Sequence, residues 1–491
     1  MGLRIYLSIL VASLLGAQPR VPRAWDEKGF VGWQLPIAGQ KFAAGHFTEE
    51  EYYRAPVENV RTYPVFAPGR EPEDYWEFLN SIGPKPLVEP EKLKTEREWI
   101  EAGHRVFEEF DFVPSRRYDS EVIRKLRSQA YFAERRIEPL PDGTLPYIRW
   151  VVTEKGVAVT VRECAGCHLR WVPRPAPGGQ PWHGAPENMP FPNFDFNFAD
   201  LGAGVYLPQG DDAQAIRWRS HFVPWIPNDI HARIKTMTNE EWGAWDDASN
   251  GTGMAARWDG SIYYPTKIPD LIGIQDRKFF DHTATHRHRG IEDLMRYAAQ
   301  VISADTPHFG PYDIVPRASR RVPYRLSDEA LYAMALYIYS LKPPPNPNRF
   351  DTAAAAGQKI FAANCAGCHT PPLYTNNKLT LAKGFQPDGS SPDVIPLSVG
   401  TDPAGAMLTR KGTGYYKVPS LKGVWYRSRL LHDGSLASLE QLFDPARLGP
   451  DFEPAGWNPV GVKKRSVGGH EFGLKLSAQE RAQLIAFLRT L

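Results

Sequence analysis

Cysteine is scarce in this chain of 491 residues: there are four in all. Every one falls in a Cys-x-x-Cys-His unit, Cys164-Ala165-Gly166-Cys167-His168 and Cys365-Ala366-Gly367-Cys368-His369, so none is left for a separate disulfide framework. An excess of charge of one sign is also lacking. With 58 Lys and Arg against 56 Asp and Glu the formal net charge is +2, which excludes the basic footprint of a nucleic-acid binder. Long apolar runs are missing too. The one approach to such a run, residues 5–15 behind Arg4, is shorter than the ~20 residues that a membrane-spanning helix needs. Followed by the small pair Gly16-Ala17, it reads as an export signal over residues 1–17, the alternative being an uncleaved anchor. The expectation is an exported mature chain, periplasmic or secreted, with no transmembrane span.

What remains is a globular composition, 42% hydrophobic and 23% charged, in a chain long enough for two or three domains. Ser327 caps a predicted helix over 327–341, with Leu331, Met334, Ala335, Ile338 and Leu341 on one face. Pro343-Pro344-Pro345 then forbids helix continuation and marks a domain boundary. The C-terminal domain, 349–491, opens with a helix over 353–364 in which Gly357 and Phe361 lie one turn apart. It runs into the second Cys-x-x-Cys-His unit and closes with a helix announced by the capping-box pattern Ser477-Ala478-Gln479-Glu480. The region 97–342 repeats this scheme with insertions: a helix over 99–110 carrying Gly103 and Phe107, a hairpin of 147–153 and 157–162, the first Cys-x-x-Cys-His unit, and the 327–341 helix. Residues 18–96 read as an irregular N-terminal extension laid over the surface. The fold class expected is mainly α: two class I cytochrome c-like haem domains with long loops and a small β-hairpin insertion.

Cys-x-x-Cys-His is the attachment signature of a c-type haem. Two cysteines three apart on a helical turn face the same way and reach the two vinyl groups of one porphyrin, and the following histidine points at the iron. A thioredoxin-type pair does not require that histidine, and half a zinc site needs further ligand pairs close by. Two identical units and no other cysteine favour two covalently bound haems, held by Cys164, Cys167, Cys365 and Cys368 with His168 and His369 on the irons.

The second axial ligand of each iron decides function: methionine suits a high-potential carrier, a second histidine a lower potential, and an open position admits oxygen or peroxide. For the second haem the candidates are Met407, Tyr415, Tyr416, His432 and His470. For the first, the cluster Asp281-His282-Thr283-Ala284-Thr285-His286-Arg287-His288 offers a distal ligand or a catalytic acid/base in His286 or His288, since peroxide cleavage requires a proton to move between two oxygens. The competing reading is a solvated basic loop ahead of a helix over 291–301. Trp218, Trp225, Trp242, Trp245 and Trp258 all lie where an inter-haem bridge is plausible.

The stretch Tyr416-Lys417-Val418-Pro419-Ser420-Leu421-Lys422-Gly423-Val424 with Leu431-His432-Asp433-Gly434-Ser435-Leu436 resembles the bacterial di-haem cytochrome c peroxidase superfamily. Lys267-Ile268-Pro269-Asp270-Leu271-Ile272-Gly273, Asp293-Leu294-Met295-Arg296-Tyr297-Ala298-Ala299 and Gly469-His470-Glu471-Phe472-Gly473 are more similar to its rubber-oxygenase-like branch. The resemblance, over about residues 97–491, implies that His168 belongs to a haem reacting with peroxide or oxygen and His369 to an electron-transfer haem with His470 as its distal ligand. It implies a partner such as a small cytochrome or cupredoxin, and peroxide, oxygen or an organic molecule as substrate. The chain departs from the peroxidases near Tyr415 and Tyr416, where they carry a methionine. The His-rich 282–288 loop departs from the apolar distal pocket of the rubber oxygenases. The wider superfamily binds calcium between its domains, but no acidic loop here matches a ligand pattern. The alternative to an oxidoreductase of peroxidase or oxygenase type is a non-catalytic electron-transfer cytochrome.

Overall fold

The computed structural model describes residues 19–135, 137, 139–140, 142–162, 164–168, 221–226, 233–249, 254–255, 262–343, 345–427 and 429–491. They comprise helices and several small sheets. Among these residues no helix is long and apolar enough to cross a membrane.

Two pairs of crossed helices organise the chain. Glu96–Glu109 begins at a Thr95–Glu98 capping box and packs on Asp328–Ser340, which is capped by Ser327. Thr352–Asn364, capped by Asp351, packs on Ala478–Leu488, which begins at the Ser477–Glu480 capping box. In both pairs a glycine allows the close approach. A Cβ on Gly103 would strike the Ala333 carbonyl, and one on Gly357 the Gln483 carbonyl, well inside the 3.0 Å that Cβ contacts respect. The phenylalanine one turn on, Phe107 or Phe361, is at most 2% exposed. Burying each such ring is worth about 1.5–3 kcal/mol.

The hairpin is present as Thr144–Thr153 and Gly156–Val161, antiparallel, with Thr153 opposite Gly156 and Ile148 opposite Val161. Thr62–Phe66 adds a third strand on its other edge, and Ile148, Trp150, Val152 and Val159 bury against Val122, Leu126 and Phe132. Beyond the linker a second sheet pairs Leu379–Leu381 with Tyr415–Lys417 antiparallel and with Val394–Ser398 parallel.

The segment before residue 96 differs from expectation. Trp25 and Trp33 are fully buried, Trp25 stacks on Tyr52 at 4.7 Å, and its indole N–H donates to the Phe47 carbonyl at 2.8 Å. Trp25, Phe47 and Tyr52 join Trp99, Phe107, Met295 and Met334 in one core, and Trp33 packs on His286 at 4.6 Å, so the segment is woven into the fold instead of covering it. The packing partners of these rings are nonlocal, and nonlocal partners leave no period in a sequence.

Candidate functional site: two Cys-x-x-Cys-His turns and the elements around them

Each Cys-x-x-Cys-His unit follows directly on an element of the frame. Cys365 is the C-cap of Thr352–Asn364, and the chain closes one further turn, with the N–H of Cys368 and of His369 both donating to the Cys365 carbonyl, at 3.2 and 2.9 Å. Burial, reinforced by Cys368, pushes the Cys365 thiol up to about 11, so it stays protonated at neutral pH. Cys164–His168 is a short helix close behind the hairpin. The Cys164 sulfur lies 3.8 Å from the Met334 sulfur on Asp328–Ser340. The first unit thus sits on the same helix pair in its half as the second does in the other.

His369 is oriented from behind. Its Nδ1 lies 3.1 Å from the Pro419 carbonyl and 3.2 Å from that of Tyr374. Carbonyls only accept, so Nδ1 carries the proton and Nε2 keeps its lone pair for a metal. Across from it stands His470, ring centroids 6.3 Å apart and planes at 62°. Burial lowers the basicity of His369, and burial together with His369 lowers His470 to about 4, so both rings are neutral, as ligation demands. The buried Nδ1 of His470 has no hydrogen-bond partner among the described residues. These residues fit an iron held between two histidines beside a pair of thiols.

The other candidates lie elsewhere. Tyr416 and His432 bond each other at 3.1 Å, and the Tyr416 hydroxyl donates to the Asp402 carbonyl at 2.6 Å. Met407 packs beside Tyr416 and Phe385, and Tyr415 packs edge-on to Phe385. Among the described residues His470 is the ring-bearing candidate in contact with the His369 ring, edge to face.

His470 is held by residues the sequence did not single out. Its φ is +46°, a left-handed conformation, and its N–H donates to the Val399 carbonyl at 2.6 Å. The guanidinium of Arg447, fully buried, donates to the carbonyls of Val467, Gly469 and His470 at 2.5, 2.8 and 3.0 Å. Gly469 precedes it at φ +76° against the backbone of Gly400 and Thr401, where a Cβ has no room. Arg447 is thus a positioning residue. An isolated arginine in a loop carries no local signal of that role.

His286 and His288 are buried, not part of a solvated loop. His286 Nδ1 donates to Asp281 at 2.7 Å and its Nε2 accepts from the Gln34 amide at 3.0 Å. Asp281 also accepts from the Tyr297 hydroxyl at 2.6 Å and pairs with Lys411 at 3.6 Å. Burial alone would raise its pKa, but Lys411, His286 and Tyr297 together hold it well below the ordinary carboxylate value. His288 Nδ1 donates to the Arg277 carbonyl at 2.8 Å, and its Nε2 accepts from the Tyr339 hydroxyl at 2.5 Å. Both nitrogens of each ring are engaged inside the protein. Residues 169–220, which follow the first Cys-x-x-Cys-His unit, are outside the described residues, as are Trp218 and Trp258. Trp225 packs on Phe309, Trp242 beside His221, and Trp245 on Tyr263.

Between the two halves a cleft is lined by Lys267, Asp270, Arg277, His282, Lys417 and Arg427, among others. Four cations against one carboxylate repel a divalent cation, so this cleft does not suit the calcium that the resemblance raised.

No family model and no curated protein matches the sequence. Among solved structures the chain is similar to a MauG-like protein associated with microbial copper homeostasis, at 17% identity and a TM-score of 0.29, over 58% of this chain and 90% of the other. It is also similar to a hydrazine synthase of Kuenenia stuttgartiensis, at 16% identity and a TM-score of 0.29, over 48% of this chain and 74% of the other.

Proposed function

We propose that this chain is an exported di-haem c-type cytochrome working as an oxidoreductase of peroxidase or oxygenase type, built from two class I cytochrome c-like halves joined at residues 343–348. The observation that carries the reading is the pair His369 and His470, set 6.3 Å apart next to Cys365 and Cys368 with the His369 tautomer fixed from behind. Cys164, Cys167 and His168 would hold the other haem. A haem at each site would supply one-electron exchange and, where an axial position stays open, activation of peroxide or oxygen.

The polypeptide contributes the rest. Pro419 fixes which imidazole nitrogen His369 presents, and Arg447 with Gly469 sets His470 opposite it. His369 and His470 would hold the haem iron between them, and that haem would supply electron exchange with a partner, a small cytochrome or cupredoxin, rather than a place for substrate. Reaction with peroxide, oxygen or an organic molecule then falls to the His168 site. An acid–base role for His286 or His288 there requires the ring to surrender Asp281, Gln34, Arg277 or Tyr339 as a partner. Those engaged rings favour the second reading, a non-catalytic electron-transfer cytochrome, to that extent. The test is the electronic spectrum of protein matured with haem, titrated with peroxide and with oxygen. A high-spin haem that changes on peroxide addition supports the enzyme; two low-spin haems indifferent to both in every redox state support the carrier; a chain that retains no haem after denaturation refutes both.

A further inference from the structure

The two carbonyls that fix the His369 tautomer belong to two loops, and side-chain hydroxyls tie those loops to each other. Tyr374 and Pro419 supply the carbonyls, at 3.2 and 3.1 Å from His369 Nδ1. The residues flanking each acceptor repeat one pattern. Thr375 Oγ1 donates to the Val418 carbonyl at 2.6 Å, and Ser420 Oγ donates to the Leu373 carbonyl at 2.6 Å. On each loop the residue before the acceptor therefore receives a hydroxyl from the other loop, and the residue after it gives one. Each hydroxyl is itself oriented by the N–H two residues on: that of Asn377 donates to Thr375 Oγ1 at 3.0 Å, and that of Lys422 to Ser420 Oγ at 3.2 Å.

The loops need such a tie. Tyr374 and Asn377 have φ of +53° and +54°, left-handed conformations that a residue with a side chain keeps only where its surroundings hold it. Pro419 is exposed, so burial does not fix its carbonyl. Backbone bonds run from the Leu421 N–H to the Tyr374 carbonyl at 3.2 Å and from the Val418 N–H to the Lys378 carbonyl at 2.9 Å, but neither reaches the carbonyl of Pro419. An acceptor behind a metal-bound histidine fixes the rotation of the ring and makes it a stronger donor to the metal. The strength of that N–H···O bond follows its length and direction, which the two hydroxyls set through the backbone. A stronger histidine donor favours the oxidised iron, so second-layer hydrogen bonding is one of the levers on a haem's potential.

We propose that Thr375 and Ser420 are positioning residues that hold the Tyr374 and Pro419 carbonyls on His369 and thereby lower the potential of the haem it carries. The haem rests on the functional reading above; the clamp on the imidazole does not.

The experiment uses the full chain matured with haem. It compares wild type with Thr375→Val and Ser420→Ala, which lose a hydroxyl, and with Thr375→Ser and Ser420→Thr, which keep one. Thr413→Val is the control: it removes a buried hydroxyl that donates to the Thr283 carbonyl, an acceptor His369 does not use. The readouts are the midpoint potential of the haem beside His369 and, in the reduced protein, the exchange of the His369 Nδ1 proton with water, followed by NMR. Thr375→Val and Ser420→Ala are expected to raise the potential and speed the exchange. Thr375→Ser and Ser420→Thr are expected to match wild type, and Thr413→Val to leave both readouts where they were. Ser420 is half-buried, so Ser420→Ala is the milder loss and decides alone if Thr375→Val does not fold. Potential and exchange unmoved by the loss of either hydroxyl, or moved equally by Thr413→Val, overturn the proposal. A wild-type chain that takes up no haem refutes the functional reading instead. The ring ¹⁵N shifts of His369 in that chain then decide the clamp: a move from the Nδ1–H toward the Nε2–H tautomer in Ser420→Ala supports it, and unchanged shifts overturn it.

Discussion

Two glycines set the contact of each helix pair, and replacing them with alanine opposes two effects of known size. In a helix interior Gly→Ala stabilises by about 1 kcal/mol. At Gly357, however, the new methyl would stand against the backbone carbonyl of Gln483 and the Phe487 Cβ, and at Gly103 against the carbonyl of Ala333. Backbone atoms cannot rotate aside as a side-chain tip can, so the helices must part by about 1 Å, and overpacking of this kind costs about 1–3 kcal/mol, occasionally more. A clash with a backbone carbonyl falls in the upper part of that range, about 2–3 kcal/mol, so it outweighs the propensity for a net loss of roughly 1–2 kcal/mol, or a fall of roughly 2–8 °C in melting temperature at about 2–4 °C per kcal/mol. Gly243, inside the Asn239–Ser249 helix, provides the control, because a Cβ there meets nothing within 4 Å. Gly243→Ala is expected to raise the melting temperature slightly. Thermal melts of the three variants under one set of conditions are sufficient. If Gly103→Ala and Gly357→Ala melt at or above wild type while Gly243→Ala behaves as expected, the helices do not cross at these residues and the twofold plan of the chain is wrong.

Other expectations follow from single residues. Arg447→Leu removes every donor holding the Val467–His470 carbonyls, so the haem beside His369 is expected to lose its second histidine and turn high-spin, visible in its absorption spectrum; an unchanged low-spin spectrum would show that Arg447 does not position His470. Asp281→Asn breaks a buried charged cluster and is expected to cost about 3–5 kcal/mol at pH 7, read by denaturant titration. Because the folded pKa of Asp281 lies below its unfolded value, near 3.9, its contribution is present above that value and is lost as pH falls through the folded pKa. Wild type is therefore expected to lose more stability than Asp281→Asn as pH drops below about 4, and parallel losses would contradict this. Arg116→Leu strands Asp111, which is fully buried and reached by Arg116 Nε at 2.6 Å; it is expected to destabilise by about 3–5 kcal/mol, and a loss below about 1 kcal/mol would show the pair to be solvated.

What the sequence made legible was local. The caps at Ser327 and Ser477, the glycine–phenylalanine spacing at 103–107 and 357–361, and the hairpin turn at 154–155 all act within one or two helical turns, and the structure has these elements there. The Cys-x-x-Cys-His units are local as well, each a single turn of chain at Cys164–His168 and after Thr352–Asn364. The approach of His470 to His369 was not legible from spacing, because a residue 101 positions away is placed by Arg447, Gly469 and residues 399–401. Residues 18–96 read as a surface extension for the same reason: the partners of Trp25 and Trp33, from Phe47 to His286, are nonlocal. The basic cluster at 282–288 left two readings open, a buried acid–base group and a solvated loop. His286 is satisfied by Asp281, five residues before it, and by Gln34, 252 positions away, so burial reversed what charge density suggested. The cationic cleft joins 267–282 to 417–427 across the proline linker and leaves no trace in either segment alone.

The most direct test of the central claim is the near-infrared magnetic circular dichroism of the oxidised, haem-loaded protein, which distinguishes axial ligand pairs on low-spin ferric haem. The account requires a band of the bis-imidazole kind that is present in wild type and lost in His470→Ala. A band of the histidine–methionine kind, or a bis-imidazole band that survives His470→Ala, would contradict it.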